Sequence, residues 1–124
     1  MKQRRIMLEL IQRLIAFKYS CKLNHWTTTI YSQHLLFDRL QEDIDDFVDN
    51  IAEKYFMGLN KKAELSKDII NTNYINSDLN QLTMSIMELI ENISKKENLT
   101  HGMQALLDNI CESFCEKRAL LTMK

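Results

Sequence analysis

The chain contains no proline and only two glycines, Gly58 and Gly102, in 124 residues. These are the residue types that turn a backbone sharply, and β-sandwiches and barrels spend them at most of their connections. A chain almost without them reads as long helices joined by few turns. The length fits one domain, residues 1–124, able to bury a real core. Sixteen Lys and Arg against seventeen Asp and Glu leave a formal net charge of −1. That balance excludes the broad basic field of a non-specific nucleic-acid binder.

The start, Met1-Lys2-Gln3-Arg4-Arg5-Ile6, has the charge of an export signal, but Glu9, Gln12 and Arg13 interrupt the apolar run that would have to follow. No apolar stretch approaches the roughly 18 residues of a membrane span. Cys21, Cys111 and Cys115 are an odd number and include no CxxC pair, which fits free thiols in a reducing compartment. The expectation is a cytoplasmic chain with no membrane partner. Asn98-Leu99-Thr100 matches a glycosylation sequon, which has no meaning without export.

Four helical stretches follow from periodicity. The first runs from about Gln3 to Trp26, with Met7, Leu10, Ile11, Leu14, Phe17 and Cys21 at helical spacing. The β-branched run Thr27-Thr28-Thr29 breaks or caps it. The second runs from about Ile30 to Met57 and stops at Gly58, a C-cap glycine. Residues 59–77 are polar and Asn-rich, with room for a short helix between Lys61 and Ile70. A connection this long is uncommon as a bare loop and reads as a crossover along the length of the molecule. Ser77-Asp78 caps a third helix to Lys96, whose inward face is Leu82, Ile86, Leu89, Ile90 and Ile93. Asn98 or Thr100 caps a fourth to Thr122, with Leu106, Leu107, Ile110, Phe114 and Leu121 inward. Two helices, a long crossover and a helical hairpin describe an all-α, ferritin-like four-helix bundle.

The second helix carries two stripes when plotted at 100° per residue. Phe37, Leu40, Ile44, Phe47, Ile51 and Tyr55 form the core stripe. His34, Asp38, Asp49 and Glu53 form another, roughly 150° away, with Asp45 in it and Glu42 beside it. Tyr31, Leu35, Ala52 and Phe56 share that side, and a purely solvated face would not carry them. His34-x3-Asp38 and Asp49-x3-Glu53 are each i,i+4 pairs able to hold one ion. Imidazole with carboxylates suits iron, manganese or zinc. The two pairs are about 16 Å apart along one helix, too far to share an ion. Two copies crossing antiparallel about a two-fold near Asp43–Ile44 would bring His34 and Asp38 of one copy against Asp49 and Glu53 of the other. His25, one short turn upstream, would join the half-site that contains His34.

His25-Trp26, His34-x3-Asp38, ten residues, then Asp49-x3-Glu53-Lys54 and Gly58 resemble the Dps-like mini-ferritins over about residues 19–58. The resemblance implies a shell of identical subunits, with a two-fold dimer as the minimum and twelve copies as the usual count. It implies ferroxidase sites in which His25, His34 and Asp38 come from one subunit and Asp49 and Glu53 from its neighbour. Trp26 would lie beside the iron as an electron donor to stray oxidising equivalents. Fe(II) would be oxidised by hydrogen peroxide or dioxygen and stored as ferric oxide, protecting against oxidative stress. Zinc or manganese would be substitutes. The nine-residue interval from His25 to His34 is shorter than the family's usual one, and the family's loop glycine is missing. The Lys-rich tail of its DNA-binding members is also missing, so DNA binding is not expected.

The competing reading is a helical oligomer or adaptor without metal, in which the acidic stripe is solvated and His34 is an interface residue. No Glu-x-x-His occurs, which disfavours a di-iron site inside one subunit's bundle. Cys111 and Cys115 read as buried thiols, and Met7, Met84, Met87 and Met103 as core filler. His101 is expected at the surface. Tyr19 and Tyr31 read as packing residues, and Cys21 as no ligand.

Overall fold

A computed structural model describes residues 2–58, 60 and 62–123. Among these all the regular secondary structure is helical, with no strand. The helices are α1 (Lys2–Thr27), α2 (Tyr31–Leu40), α3 (Ile44–Phe56), α4 (Lys62–Asp68), α5 (Leu79–Lys96) and α6 (His101–Thr122), with a 3₁₀ turn at Thr72–Tyr74 before α5. No helix is long and apolar enough to cross a membrane among the described residues.

Helix ends fall where the local chemistry puts them. Asp78 accepts a hydrogen bond from the Gln81 amide at 3.2 Å and starts α5. Thr100 accepts from the Met103 amide at 3.1 Å and starts α6. Each side chain satisfies a backbone N–H that has no partner within its helix. Gly58 has φ +81°, a left-handed conformation that a side chain would strain, just beyond the end of α3. Between α1 and α2, Thr28 Oγ1 accepts from the Ile30 amide and donates to Gln33 Oε1.

The second helix is not continuous from Ile30 to Met57. It stops at Leu40 and resumes at Ile44. The Glu42 amide bonds the Arg39 carbonyl and the Ile44 amide bonds the Gln41 carbonyl, both three residues back rather than four. Gln41 and Asp43 have ψ near zero (−4° and −3°). The cause lies outside the segment. Ser113 Oγ and Lys117 Nζ on α6 donate to the Asp43 carboxylate at 2.5 and 2.8 Å. Asp43, expected at the crossing point of two copies, is thus turned toward its own chain's last helix. His34 and Asp38 therefore lie on a different helix from Asp49 and Glu53.

Helix directions follow from which residues meet. Gln3 meets Tyr55, Lys18 meets Asp45 and His25 meets His34, so α1 is antiparallel to α2–α3. Asn24 meets Ser77, Arg13 meets Ser85 and Gln3 meets Asn98, so α5 is also antiparallel to α1. Hence α3 and α5 run parallel, and the segment joining them must travel the length of the molecule. It does so along α1: Gln12 donates to the Asp68 carbonyl, Arg13 lies 4.2 Å over the Tyr74 ring, and Ser20 Oγ accepts from the Asn76 amide. The expected short helix within it is α4. Gln104 donates to Ser94 across the α5–α6 hairpin.

The core is one cluster. Met7, Leu10, Ile11, Leu14, Phe17 and Cys21 of α1 are fully buried, as are Ile44, Ile51, Ile86, Ile93, Leu107, Ile110 and Phe114. Phe17 and Phe114 meet edge to face with centroids 4.9 Å apart. Some inward expectations are only partly met. Phe37, Tyr55, Leu89, Leu106 and Leu121 are half-buried against the cluster. Ala52 and Phe56, assigned to the outer side, pack partly against it as well. Met84 is exposed rather than core filler, Cys111 is half-buried and Cys115 exposed. Those positions lie beside the apolar stripes of α5 and α6 rather than on them.

Candidate metal half-site at the α1–α2 turn

His25 is in the last turn of α1 and His34 in the first turn of α2. The short connection through Thr28–Ile30 folds them together despite the missing loop glycine. Their rings stack with centroids 3.7 Å apart and planes 18° apart. His25 Nδ1 is 2.6 Å from the His34 carbonyl oxygen, and His34 Nδ1 is 2.8 Å from the His25 carbonyl oxygen. A carbonyl oxygen only accepts, so each Nδ1 carries the proton. In the neutral ring each Nε2 then keeps its lone pair, the state in which imidazole binds metal. Backbone carbonyls on Nδ1 are the usual means of fixing that tautomer.

The same bonds have a structural role. Carbonyls in the last turn of a helix have no partner within it. His34 supplies one to the His25 carbonyl and so caps α1 while tying it to α2. Both rings are half-buried.

The other expected ligands stay apart from this pair within one chain. Asp38, one turn beyond His34, is exposed and accepts from Gln41 Nε2 at 3.2 Å. Asp49 is exposed on α3, in a shallow groove with Ile15, Tyr19, Val48 and Ile70. Glu53, a turn further on, is also exposed. Asp45 is engaged by Lys18 Nζ at 2.8 Å. Among the described residues, no group of three or more His, Cys, Asp or Glu side chains is placed to hold an ion.

Large apolar side chains surround the histidine pair at the surface. Trp26 is 63% exposed, Tyr31 74%, Leu35 51% and Ile30 52%. Tyr19 and Leu23 extend this patch along α1, at the i, i+4, i+7 spacing they share with Trp26. Cys21 is fully buried one turn before His25, and burial pushes its thiol up to about 12. It is not available as a ligand. His101 is exposed, as expected.

Two clusters escape a reading of the second helix alone. One is Asp43 with Ser113 and Lys117. Its signal was Lys117 itself, which falls in register with the inward Ile110 and Phe114 of α6. A lysine in an apolar stripe calls for a buried anion. The other is the thiol pair Cys111 and Cys115.

No curated protein and no solved structure matches this sequence. A family-level profile does match, over residues 25–119, and that span begins at His25 and takes in α2 through most of α6. It covers more than three quarters of the chain, which therefore belongs to the family described as "Family of unknown function (DUF5856)".

Proposed function

We propose that this chain is a ferritin-like ferroxidase subunit whose metal sites are completed only between copies. The observation that carries the reading is the His25–His34 pair, with both Nδ1 protons committed to backbone carbonyls and both Nε2 lone pairs left for a ligand. Asp38 lies one turn along the same helix and adds a carboxylate to that half. Asp49 and Glu53, solvent-exposed and an i,i+4 pair, are the complementary half from a second copy. The helix order, with α3 and α5 parallel across a long connection, is the one a ferritin-like bundle requires.

Fe(II) is the substrate in this reading. The histidines and carboxylates hold ferrous ions close together, so that two electrons pass to one peroxide molecule without release of a radical. The exposed Trp26 stands beside the pair, where it can supply an electron when an oxidising equivalent is left over. Ferric oxide then collects inside an oligomeric shell, with a dimer as the smallest active unit. Zinc or manganese would occupy the same donors.

A second reading, a helical oligomer or adaptor without metal, is favoured by one observation. The reciprocal hydrogen bonds make the histidine pair a complete tie between α1 and α2 without any ion. One experiment separates the two. Fe(II) is added anaerobically to the purified chain, hydrogen peroxide follows, and near-UV absorbance and sedimentation are recorded together. The ferroxidase reading expects a broad ferric absorbance from an oligomer, lost in Asp49→Ala. Autoxidation at the protein-free rate, or a monomer with and without iron, would overturn it.

A further inference from the structure

Cys111 and Cys115 stand four residues apart on α6, so their side chains are neighbours one turn apart on the same face. Cys115 is exposed and open to solvent, whereas Cys111 is half-buried against the core. Burial first, then Cys115, then the carboxylates of Asp108 and Glu91 hold the Cys111 thiol above its usual range. Asp108 precedes Cys111 by one turn of α6, and Glu91 comes from α5. Cys111 thus faces carboxylates from two helices.

Helix geometry dictates what the pair can become. Side chains at i and i+4 have Cβ atoms about 5–6 Å apart. A disulfide needs about 3.5–4.5 Å, so closing one here would require unwinding α6. An ion inserted between the two sulfurs lengthens the bridge and removes that conflict. Zinc asks for four ligands, and no group of three or more candidate side chains is assembled among the described residues. A soft monovalent ion satisfied by two thiolates fits the donor count, and thiolate donors select copper(I).

We propose that Cys111 and Cys115 form a two-thiolate copper(I) site on α6, where the core meets solvent. On binding, both S–H bonds break, two Cu–S bonds form and two protons leave to solvent, with no change in oxidation state. The site is separate from the histidine pair and does not depend on iron chemistry.

The test uses the full chain, reduced and anaerobic, titrated with copper(I) against a chromophoric copper(I) chelator. The expected result is one copper per chain withdrawn from the chelator, with a near-UV thiolate-to-copper band. Cys111→Ser and Cys115→Ser should each lose both signals, while Cys21→Ala keeps them. Cys115 is exposed, so its variant retains the helical circular dichroism of the parent and loss of copper cannot be ascribed to unfolding. No withdrawal of copper by the parent chain would overturn the proposal. So would a Cys115→Ser variant that still binds, or a stoichiometry of one copper per two chains bridged through Cys115.

Discussion

Removing either partner of the Asp43–Lys117 pair should have unequal consequences. The lysine side chain is 8% exposed and the aspartate 38%, with Nζ 2.8 Å from Oδ1. In Asp43→Ala a nearly buried ammonium loses its counter-ion. Stranding a buried charge costs about 3–5 kcal/mol, and the water that reaches Asp43 screens the pair enough to bring this to about 2–3 kcal/mol. At the lower figure, about 2 kcal/mol, Tm falls by roughly 6–10 °C for a chain of this size. In Lys117→Met the stem volume is kept and no charge is stranded. Asp43 stays in contact with water and with Ser113 Oγ at 2.5 Å. The cost there should be about 0–1 kcal/mol. Urea unfolding followed by far-UV circular dichroism at pH 7 measures both variants and the double variant, which should recover most of the loss of Asp43→Ala. Equal losses, a reversed order, or additive losses in the double variant would refute this account of the α2–α3 break.

Four further outcomes are expected. Phe17→Ala removes one ring of the buried Phe17–Phe114 contact and should lower stability by about 3–5 kcal/mol in the same assay. Thr100→Ala removes the α6 cap and should cost about 1 kcal/mol, read as a fall in the urea midpoint at unchanged slope. Cys21 is held at about 12 in the folded chain, and Cys111 and Tyr55 are also raised by burial. The unfolded thiol ionises near 9, so above that pH the unfolded state binds fewer protons and stability falls as pH rises toward 12. Cys21→Ala should flatten that fall between pH 9 and 11. A thiol reagent at pH 8 should modify Cys115 first and leave Cys21 untouched in the native protein.

Much of the fold is legible locally. The α1 stripe from Met7 to Cys21, the caps Asp78 and Thr100, and the left-handed Gly58 are decided by spacing and by side chains within a few residues of the backbone groups they serve. The crossover is legible for a related reason, because a nineteen-residue, largely polar segment between two apolar helices must travel somewhere. The interruption at Gln41–Asp43 is not legible in that way. Leu40-Gln41-Glu42-Asp43-Ile44 contains no residue that stops a helix, and the groups that pull Asp43 aside lie on α6, some seventy residues away. The exposure of Met84 and Cys115 escaped for a similar reason. A wheel shows which residues share a side but not how wide a strip the neighbouring helices cover.

The candidate site divides along the same line. Residue types at helical spacing, His34 with Asp38 and Asp49 with Glu53, belong to the sequence, since the period of one helix places each pair on one face. That α1 and α2 fold back so tightly that the rings of His25 and His34 stack and exchange hydrogen bonds with each other's backbone is a product of tertiary structure. So is the turn that places Asp49 and Glu53 on a separate helix from them. Sequence by itself determined an all-helical chain with few turns, because that follows from the near absence of proline and glycine and from apolar period alone. Which donors meet, and which carboxylate turns inward to a lysine, depended on packing between distant helices, where a buried charge must find its partner.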